Sequence, residues 1–137
     1  MMISTKGRYA FRIMLDLAQH REQGFISLKE IAERQRVSVK YLEAIAGRLS
    51  KDGLIVAHHG KHGGYQLARS PADISAGEIL KSAEGKLAPV ACAGTEIGCA
   101  NQTECLTYPL WKNLDDCIYR YLDSVSLEDV LLGRLRS

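Results

Sequence analysis

Three cysteines, Cys92, Cys99 and Cys105, lie within fourteen residues in a C-x6-C-x5-C pattern. Thiols at this density are typical of a site for a soft metal or an iron–sulfur cluster. Structural zinc normally takes four ligands and often shows a C-x2-C step, which this pattern lacks. A cluster whose fourth ligand comes from elsewhere fits at least as well, and the alternative is unliganded thiols or a thiol switch. Cys117 falls on an apolar helical stripe, where we expect a small core residue rather than a ligand.

The charge distribution predicts a surface for a polyanion in the first half of the chain. Residues 1–70 hold 12 Lys+Arg against 6 Asp+Glu, whereas residues 71–137 hold 6 against 10. All four histidines also lie in the first half. Since clustered cations attract phosphate, nucleic acid is the expected partner.

Candidate DNA-contacting side chains occur in two short segments. Residues off the apolar stripe of a predicted helix carry donors for phosphate and base edges, and a glycine-rich hairpin tip carries more. Glycines at the tip allow tight turning and close backbone approach. The candidates are Ser38, Lys40, Tyr41, Glu43 and Arg48 on the helix, and His59, Lys61, His62, Gly63 and Gly64 at the tip. The alternative is that the same unit is used only for protein contacts.

Apolar spacing and capping residues predict the elements that position these side chains. Ser/Glu pairs three residues apart are capping boxes, and apolar residues at three- and four-residue spacings mark helices. Two short helices joined by about three residues, followed by a β-hairpin, form a winged helix-turn-helix. The predicted segments are helices over 9–18 (closed by Gly24), 27–35 and 38–52, strands over 54–57 and 65–67, and a helix from 75 to Gly85.

The C-terminal part is predicted to be a long helix that follows a loop. Pro109 suits the first turn of a helix, and a second apolar stripe follows it. Because the first helices already supply a core, this stripe predicts a partner surface, hence a dimerisation helix; packing on its own domain is the alternative. The expected fold is mainly α with a small β-hairpin wing. The expected units are a winged helix-turn-helix DNA-binding domain (1–84), a cysteine-containing sensor loop (85–108), and the dimerisation helix with a C-terminal helix (109–137).

Several function classes are disfavoured by what the sequence lacks. There is no signal-peptide core and no apolar run long enough to span a bilayer, so we expect a cytoplasmic protein without a membrane partner. There is no phosphate-cradling Gly-x-Gly-x-x-Gly and no His-Glu-x-x-His, so we do not expect an enzyme. The crowding of three cysteines in one loop favours coordination over nucleophilic catalysis.

With these residues in hand, the chain resembles the IscR-type family of bacterial winged-helix transcription regulators, which includes the nitric-oxide sensor NsrR and the cysteine-metabolism regulator CymR. The resemblance runs nearly end to end. It is carried by the segments 3–10, 38–43 with Leu49 and Gly53-Leu54, Gly63-Gly64-Tyr65, and 105–111.

The resemblance implies a homodimer joined through the long helix, a palindromic double-stranded DNA site, and in the IscR branch a [2Fe–2S] cluster on three loop cysteines that match Cys92, Cys99 and Cys105. Tyr108 stands where that branch has its histidine ligand, so Cys117, Glu104 or an exogenous thiol are the alternatives for the fourth ligand. Arg8 stands near the acidic ligand of the nitric-oxide branch. His59 replaces a wing arginine. A cluster-free regulator of the same family, answering a thiol signal or a protein partner, and a zinc-stabilised interaction module are the other functions to weigh.

Overall fold

The computed structural model describes residues 3–85 and 105–135 of the chain. Its described part is six α-helices and one two-stranded antiparallel hairpin, with 3₁₀ turns at Arg21–Gln23 and Pro71–Asp73. The elements are α1 (Thr5–Gln19), α2 (Leu28–Gln35), α3 (Val39–Lys51), β1 (Ile55–His58), β2 (Gly64–Leu67), α4 (Ala76–Glu84), α5 (Tyr108–Ser124) and α6 (Leu127–Leu131). The predicted class, mainly α with a hairpin wing, is confirmed.

Local capping explains where most helices begin. Reciprocal Ser/acid capping boxes open α2, α4 and α6, in which the serine hydroxyl accepts a backbone N–H and the acid three residues later accepts the serine N–H. Ser38 caps α3 through its hydroxyl alone. These starts agree with the sequence prediction. One predicted boundary is wrong: the first helix ends at Gln19, and a 3₁₀ turn separates it from Gly24.

The core lies where α1, α2, α3, α4 and the hairpin converge. It is built from aliphatic side chains that recur on the inner stripe of each helix, with Ile55 from the first strand. Burial of these apolar side chains is the main stabilising contribution to the fold. The fully buried large members include Ile13, Met14, Leu17, Ile26, Ile31, Leu42, Leu49, Ile74, Ile79 and Leu127.

Glu84, at the end of α4, holds the first turn of α1. Its Oε1 accepts hydrogen bonds from the backbone N–H of Ser4 (3.0 Å), the Ser4 hydroxyl and the N–H of Gly7 (2.7 Å). A Cβ on Gly7 would lie 2.7 Å from that oxygen and 3.1 Å from Leu80 Cδ2. The absence of a side chain at Gly7 therefore permits this close approach of α1 to α4.

A buried carboxylate joins α1 to α2. Asp16, 1% exposed, accepts from Arg34 Nε (3.0 Å) and Nη2 (2.6 Å) and from Gln35 Nε2 (3.2 Å). Burial raises the pKa of Asp16, but these hydrogen bonds and the Arg34 charge outweigh it and leave the pKa below its ordinary value. A buried charge on α1 is thus paired with side chains of α2, the first helix of the helix-turn-helix.

The hairpin is anchored at its base and free at its tip. Its register pairs Ile55 with Leu67 and His58 with Gly64. Ile26 adds a bridge, since its N–H and C=O each bond Tyr65 at 2.8 Å. A Cβ on Gly64 would collide with the Ile26 backbone, so this glycine lets the hairpin pack beside the start of α2.

Helix α5 packs with a face that the sequence did not predict. The apolar stripe predicted after Pro109 consists of Leu110, Leu114, Cys117, Ile118, Tyr121 and Leu122. Two of these residues, Ile118 and Leu122, turn inward and are half-buried. The outer face is formed by Leu110 (58% exposed), Leu114 (42%), Cys117 and Tyr121 (60%). Cys117 is therefore exposed, and the prediction of a small core residue is wrong for the described chain, because the inward side of the helix carries the buried Asp115 and the half-buried Ile118 instead.

Candidate nucleic-acid interface and cysteine site

The exposed face of α3 carries the predicted helix candidates. Its inner face, Leu42, Ile45, Ala46 and Leu49, is buried, which turns the residues between them outward. Ser38, Lys40, Glu43 and Arg48 are all exposed. Within residues 3–85 and 105–135, no ion pair engages Lys40, Glu43 or Arg48. Lys40 and Glu43 therefore do not pair with each other in the described chain, and these charges are open to an external partner.

Two of the helix candidates, Ser38 and Tyr41, also make contacts within the protein. The Ser38 hydroxyl accepts the Tyr41 N–H at 3.2 Å and so caps α3, although its own O–H remains a donor. Tyr41 is half-buried, and its ring meets Tyr9 edge-on, with centroids 5.5 Å apart. Arg12 lies 4.8 Å from the centroid of the same Tyr9 ring. Tyr41 is thus partly a packing residue between α3 and α1.

The hairpin tip presents the wing candidates to solvent. His59, Lys61 and His62 are exposed, and His62 is held in the left-handed region (φ 65°). Gly63 turns the chain: its N–H bonds Gly60 C=O at 3.0 Å, and a Cβ there would collide with His58 C=O. Gly63 and Gly64 are half-buried and act on the shape of the wing.

Helix α3 and the wing are joined directly. The Leu54 N–H bonds Leu49 C=O at 3.0 Å, and the Ala68 N–H bonds Leu54 C=O at 3.1 Å, so the end of α3 leads straight into the hairpin. At the end of β1, next to the wing tip, the His58 ring stacks on the Phe25 ring with centroids 4.9 Å apart. Helix α3 and the wing are therefore linked by backbone hydrogen bonds into one continuous unit.

Sequence reasoning did not select Lys6, which the structure brings beside α3. Lys6 is exposed in the first turn of α1 and lines one groove with Tyr41, Ala44, Ile45, Arg48 and Ala83. The available signal was the basic character of Lys6-Gly7-Arg8 just before the first stripe. That signal becomes specific only when α1 is placed against α3.

Of the three predicted metal ligands, Cys105 lies in the described part, whereas Cys92 and Cys99 lie outside it. Its Sγ is 3.3 Å from Thr107 Oγ1. The hydrogen bond from that hydroxyl, helped by the backbone N–H groups of Thr107 and Tyr108, lowers the pKa of the Cys105 thiol. The described residues alone form no cluster of three His, Cys, Asp or Glu side chains able to hold a metal.

Cys117 lies far along the helix from Cys105. Helix α5 begins at Tyr108, and nine residues at a rise of 1.5 Å each put Cys117 roughly 13 Å further on. Tyr108, at the position predicted to replace a histidine ligand, is half-buried. Cys105 and Cys117 are therefore separated by more than two helical turns.

Nothing in the described helices has the length and apolar character of a membrane span.

A winged helix with an exposed, cation-bearing second helix defines the class of winged-helix transcription regulators rather than enzymes. The profile of the Rrf2 family, described as "Iron-dependent Transcriptional regulator", matches residues 3–132. The chain belongs to the Rrf2 family.

Individual relatives agree with this assignment. The transcriptional regulator IscR of Aliivibrio salmonicida is 38% identical over 132 residues, which cover 96% of this chain and 78% of that protein. Among solved structures, CymR, the global cysteine regulator of B. subtilis, is 37% identical with a TM-score of 0.77, covering 97% of this chain and 98% of the other. IscR of T. potens is 38% identical with a TM-score of 0.77, covering 98% and 89%.

Proposed function

We propose that this Rrf2-family regulator is a homodimer that binds a palindromic double-stranded DNA site and senses iron–sulfur or redox status through Cys92, Cys99 and Cys105. The observation that carries the DNA part is the exposed face of α3, where Lys40 and Arg48 have no intramolecular ion pair within the described chain. A helix of this kind fits the major groove, and the adjoining wing reaches the neighbouring minor groove.

The side chains divide by the part of DNA that each contacts. Lys40 and Arg48 on α3, and Lys61 with His59 and His62 on the wing, bind phosphates and groove edges, while Ser38 donates its free O–H. Tyr41 packs α3 against Tyr9 of α1 and contributes its hydroxyl. Gly63 and Gly64 shape the wing. Since phosphate contacts position the protein without reading sequence, specificity must come from the helix face.

Glu43 is the candidate for reading a base. A carboxylate beside a polyanion lowers affinity unless a donor meets it, and the N4 amine of cytosine is the major-groove donor that does so. Glu43 is exposed, with no partner among the described residues, which leaves it available. In this proposal Glu43 discriminates against sites without cytosine opposite it by roughly 1–3 kcal/mol.

Selection from a pool of random DNA duplexes, followed by binding to a site series in which each base pair is replaced, tests this reading. Glu43→Ala should widen the range of sites bound and leave non-specific affinity equal or higher. Lys112→Ala on α5 is the control and should leave the preference intact. If Glu43→Ala keeps the wild-type preference, Glu43 is only a solvated carboxylate.

The dimer part rests on the outer face of α5. Leu110, Leu114 and Tyr121 expose apolar area, and Tyr121 continues into an apolar groove floored by Phe11, Leu80 and Val125. A contiguous exposed apolar surface marks a protein interface. Residues 1–84 then form the DNA-binding unit, 85–108 the sensor loop and 109–137 the dimerisation unit.

The cluster part rests on donor chemistry. Soft thiolates suit an iron–sulfur cluster, and the hydrogen bonds that lower the pKa of Cys105 favour the thiolate that ligates iron. A [2Fe–2S] cluster, when bound, would supply one-electron redox chemistry and sensitivity to iron supply. The separation of Cys117 from Cys105 along α5 argues against Cys117 of the same chain as its fourth ligand.

Visible absorbance of protein purified without oxygen tests the cluster. Cys92→Ala, Cys99→Ala and Cys105→Ala should each remove the brown colour, and the matched variant Cys117→Ala should retain most of it. A colourless wild-type protein with stoichiometric zinc supports a zinc-stabilised module instead. A colourless, metal-free protein that still binds DNA supports a cluster-free regulator of the same family.

A further inference from the structure

The groove between α1 and α3 brings together two cations from distant parts of the chain. Lys6, in the first turn of α1, and Arg48, near the end of α3, line it together. The other lining residues, Tyr41, Ala44, Ile45 and Ala83, are uncharged. Neither cation makes an ion pair in the portion of the chain that the structure describes. The two positive charges therefore face the same space without a neutralising partner.

The groove is preformed, because both of its walls are fixed. Glu84 holds the first turn of α1 by accepting the Ser4 and Gly7 N–H groups. On the other side, Tyr41 of α3 packs edge-on against Tyr9 of α1. The backbones that carry Lys6 and Arg48 are thus set before any ligand arrives, which reduces the ordering cost of binding.

The nearby acids form no ion pair with either cation in the described chain. Glu84 follows the lining residue Ala83, but its Oε1 is directed at the α1 N-terminus, where it accepts three hydrogen bonds. Glu43 shares the exposed face of α3, but at 100° per residue it lies about 140° around the helix from Arg48. The groove side of α3 is therefore its cationic flank, and the acid lies on the opposite flank.

We propose that this groove binds one backbone phosphate of the DNA, contacted jointly by Lys6 and Arg48, at the edge of the major groove that α3 enters. The inference rests on the proposed DNA-binding function and adds a contact from outside the helix-turn-helix and the wing. A phosphate suits the pair because Arg binds its oxygens through a planar fork and Lys adds a mobile point charge. The contact positions the protein and reads no sequence.

The test measures affinity for a short mixed-sequence DNA duplex as a function of salt. Lys6→Ala should weaken binding about two- to fivefold per protomer and reduce the slope of log K against log salt by about one per protomer. Lys6→Arg should restore both. Lys112→Ala, which removes an equal charge from α5, should change neither by comparable amounts. Thermal unfolding of Lys6→Ala should match the wild type, because the side chain is exposed.

A double-variant cycle asks whether the two cations share one phosphate. Lys6→Ala and Arg48→Ala combined should lose less affinity than the two single losses multiplied, because either change already disrupts the joint contact. Strictly multiplicative losses would overturn the shared site. Wild-type slope and affinity in Lys6→Ala would overturn the proposal and leave the proposed DNA binding intact, whereas absence of salt-dependent binding by the wild-type chain would remove the DNA-binding function itself.

Discussion

Helices α3 and α5 are both amphipathic, yet they expose opposite faces. In α3 the apolar residues Leu42, Ile45 and Leu49 are buried in the chain's own core and the charged residues lie outside. In α5 the exposed face is apolar, with Leu110 and Tyr121 more than half exposed. Its one buried residue is a carboxylate, Asp115. The same periodicity therefore gives two different surfaces, depending on which neighbours cover the helix.

The contrast indicates two kinds of partner. A polar, cationic helix surface over a complete core suits a polyanion, which is attracted without burying apolar area. An apolar face left uncovered by residues 3–85 and 105–135 suits a protein surface, and a second copy offers the same face for a symmetric contact. Under the proposed function, the DNA-binding unit lies within one chain, whereas the apolar face of α5 is covered only in the proposed homodimer.

The largest expected effect is the loss of self-association when a charge is placed in the apolar face of α5. Leu114→Glu places a carboxylate in the apolar face, and burying it unpaired in an interface should weaken self-association on the order of a hundredfold. Sedimentation equilibrium should then show monomer, and binding to a palindromic duplex should fall with it.

Arg120→Glu is the matched control, since Arg120 is exposed on α5 but lies about 90° from the apolar face at 100° per residue. It should remain a dimer. A Leu114→Glu protein that associates as strongly as the wild type contradicts the assignment of this face.

The two buried acids Asp16, on α1, and Asp115, on α5, differ in their hydrogen-bond partners. Asp16 is satisfied by Arg34 and Gln35, whereas Asp115 Oδ1 has no hydrogen-bond partner among the described residues. Arg34→Ala should lower the free energy of unfolding by about 1–3 kcal/mol, because the buried Asp16 carboxylate loses its charged hydrogen-bond donor. Asp115→Asn should cost clearly less. Urea denaturation of the two variants measures both, and equal losses would show that the two acids are satisfied alike.

The pH dependence of stability follows from the lowered pKa of Asp16. Because the pKa is lower in the folded state than in the unfolded chain, ionised Asp16 stabilises the fold at pH values above the unfolded pKa, whose ordinary value is 3.8. This stabilisation is lost as the pH falls through the folded value. Asp16→Asn should therefore show a shallower acid loss of stability than the wild type in urea denaturation measured across that range. If both proteins lose stability in parallel as the pH falls, Asp16 does not contribute to the acid sensitivity of the fold.

The smallest expected effect comes from Gly47→Ala, which should change the stability of the fold and the affinity for DNA in opposite directions. Gly47 lies inside α3 on the exposed face, and a Cβ there would meet nothing within 4 Å. Since glycine in a helix interior costs about 1 kcal/mol relative to alanine, Gly47→Ala should stabilise the fold by about that amount while weakening DNA binding through loss of close approach. Gly7→Ala, whose Cβ would meet Glu84 and Leu80, should instead destabilise. Calorimetric unfolding measures the stability of both variants, and a DNA titration measures the affinity of Gly47→Ala. An unchanged DNA affinity in Gly47→Ala would mean that the α3 backbone does not approach DNA at this position.

Local signals explain what the sequence predicted well. The three capping boxes and the Ser38 cap depend on residues three apart, so they can be recognised without knowing the fold. The exposed residues of α3 follow from periodicity in the same way. The Tyr41–Tyr9 contact and the hydrogen bond from Gly7 to Glu84, 77 residues away in sequence, are tertiary. For that reason the position of Lys6, the packing role of Tyr41 and the inward face of α5 were not predictable from spacing.

The central claim, that the cationic face of α3 and the wing meet DNA, is tested most directly by the salt dependence of DNA affinity in the wild-type protein. Each phosphate contact made by Lys or Arg releases counterions, so a dimer that uses Lys6, Lys40, Arg48 and Lys61 from each half should show a steep linear fall of log K with log salt. Lys61→Ala should flatten that slope and weaken all sequences about equally. A slope near zero, with affinity unchanged across salt, would contradict the account.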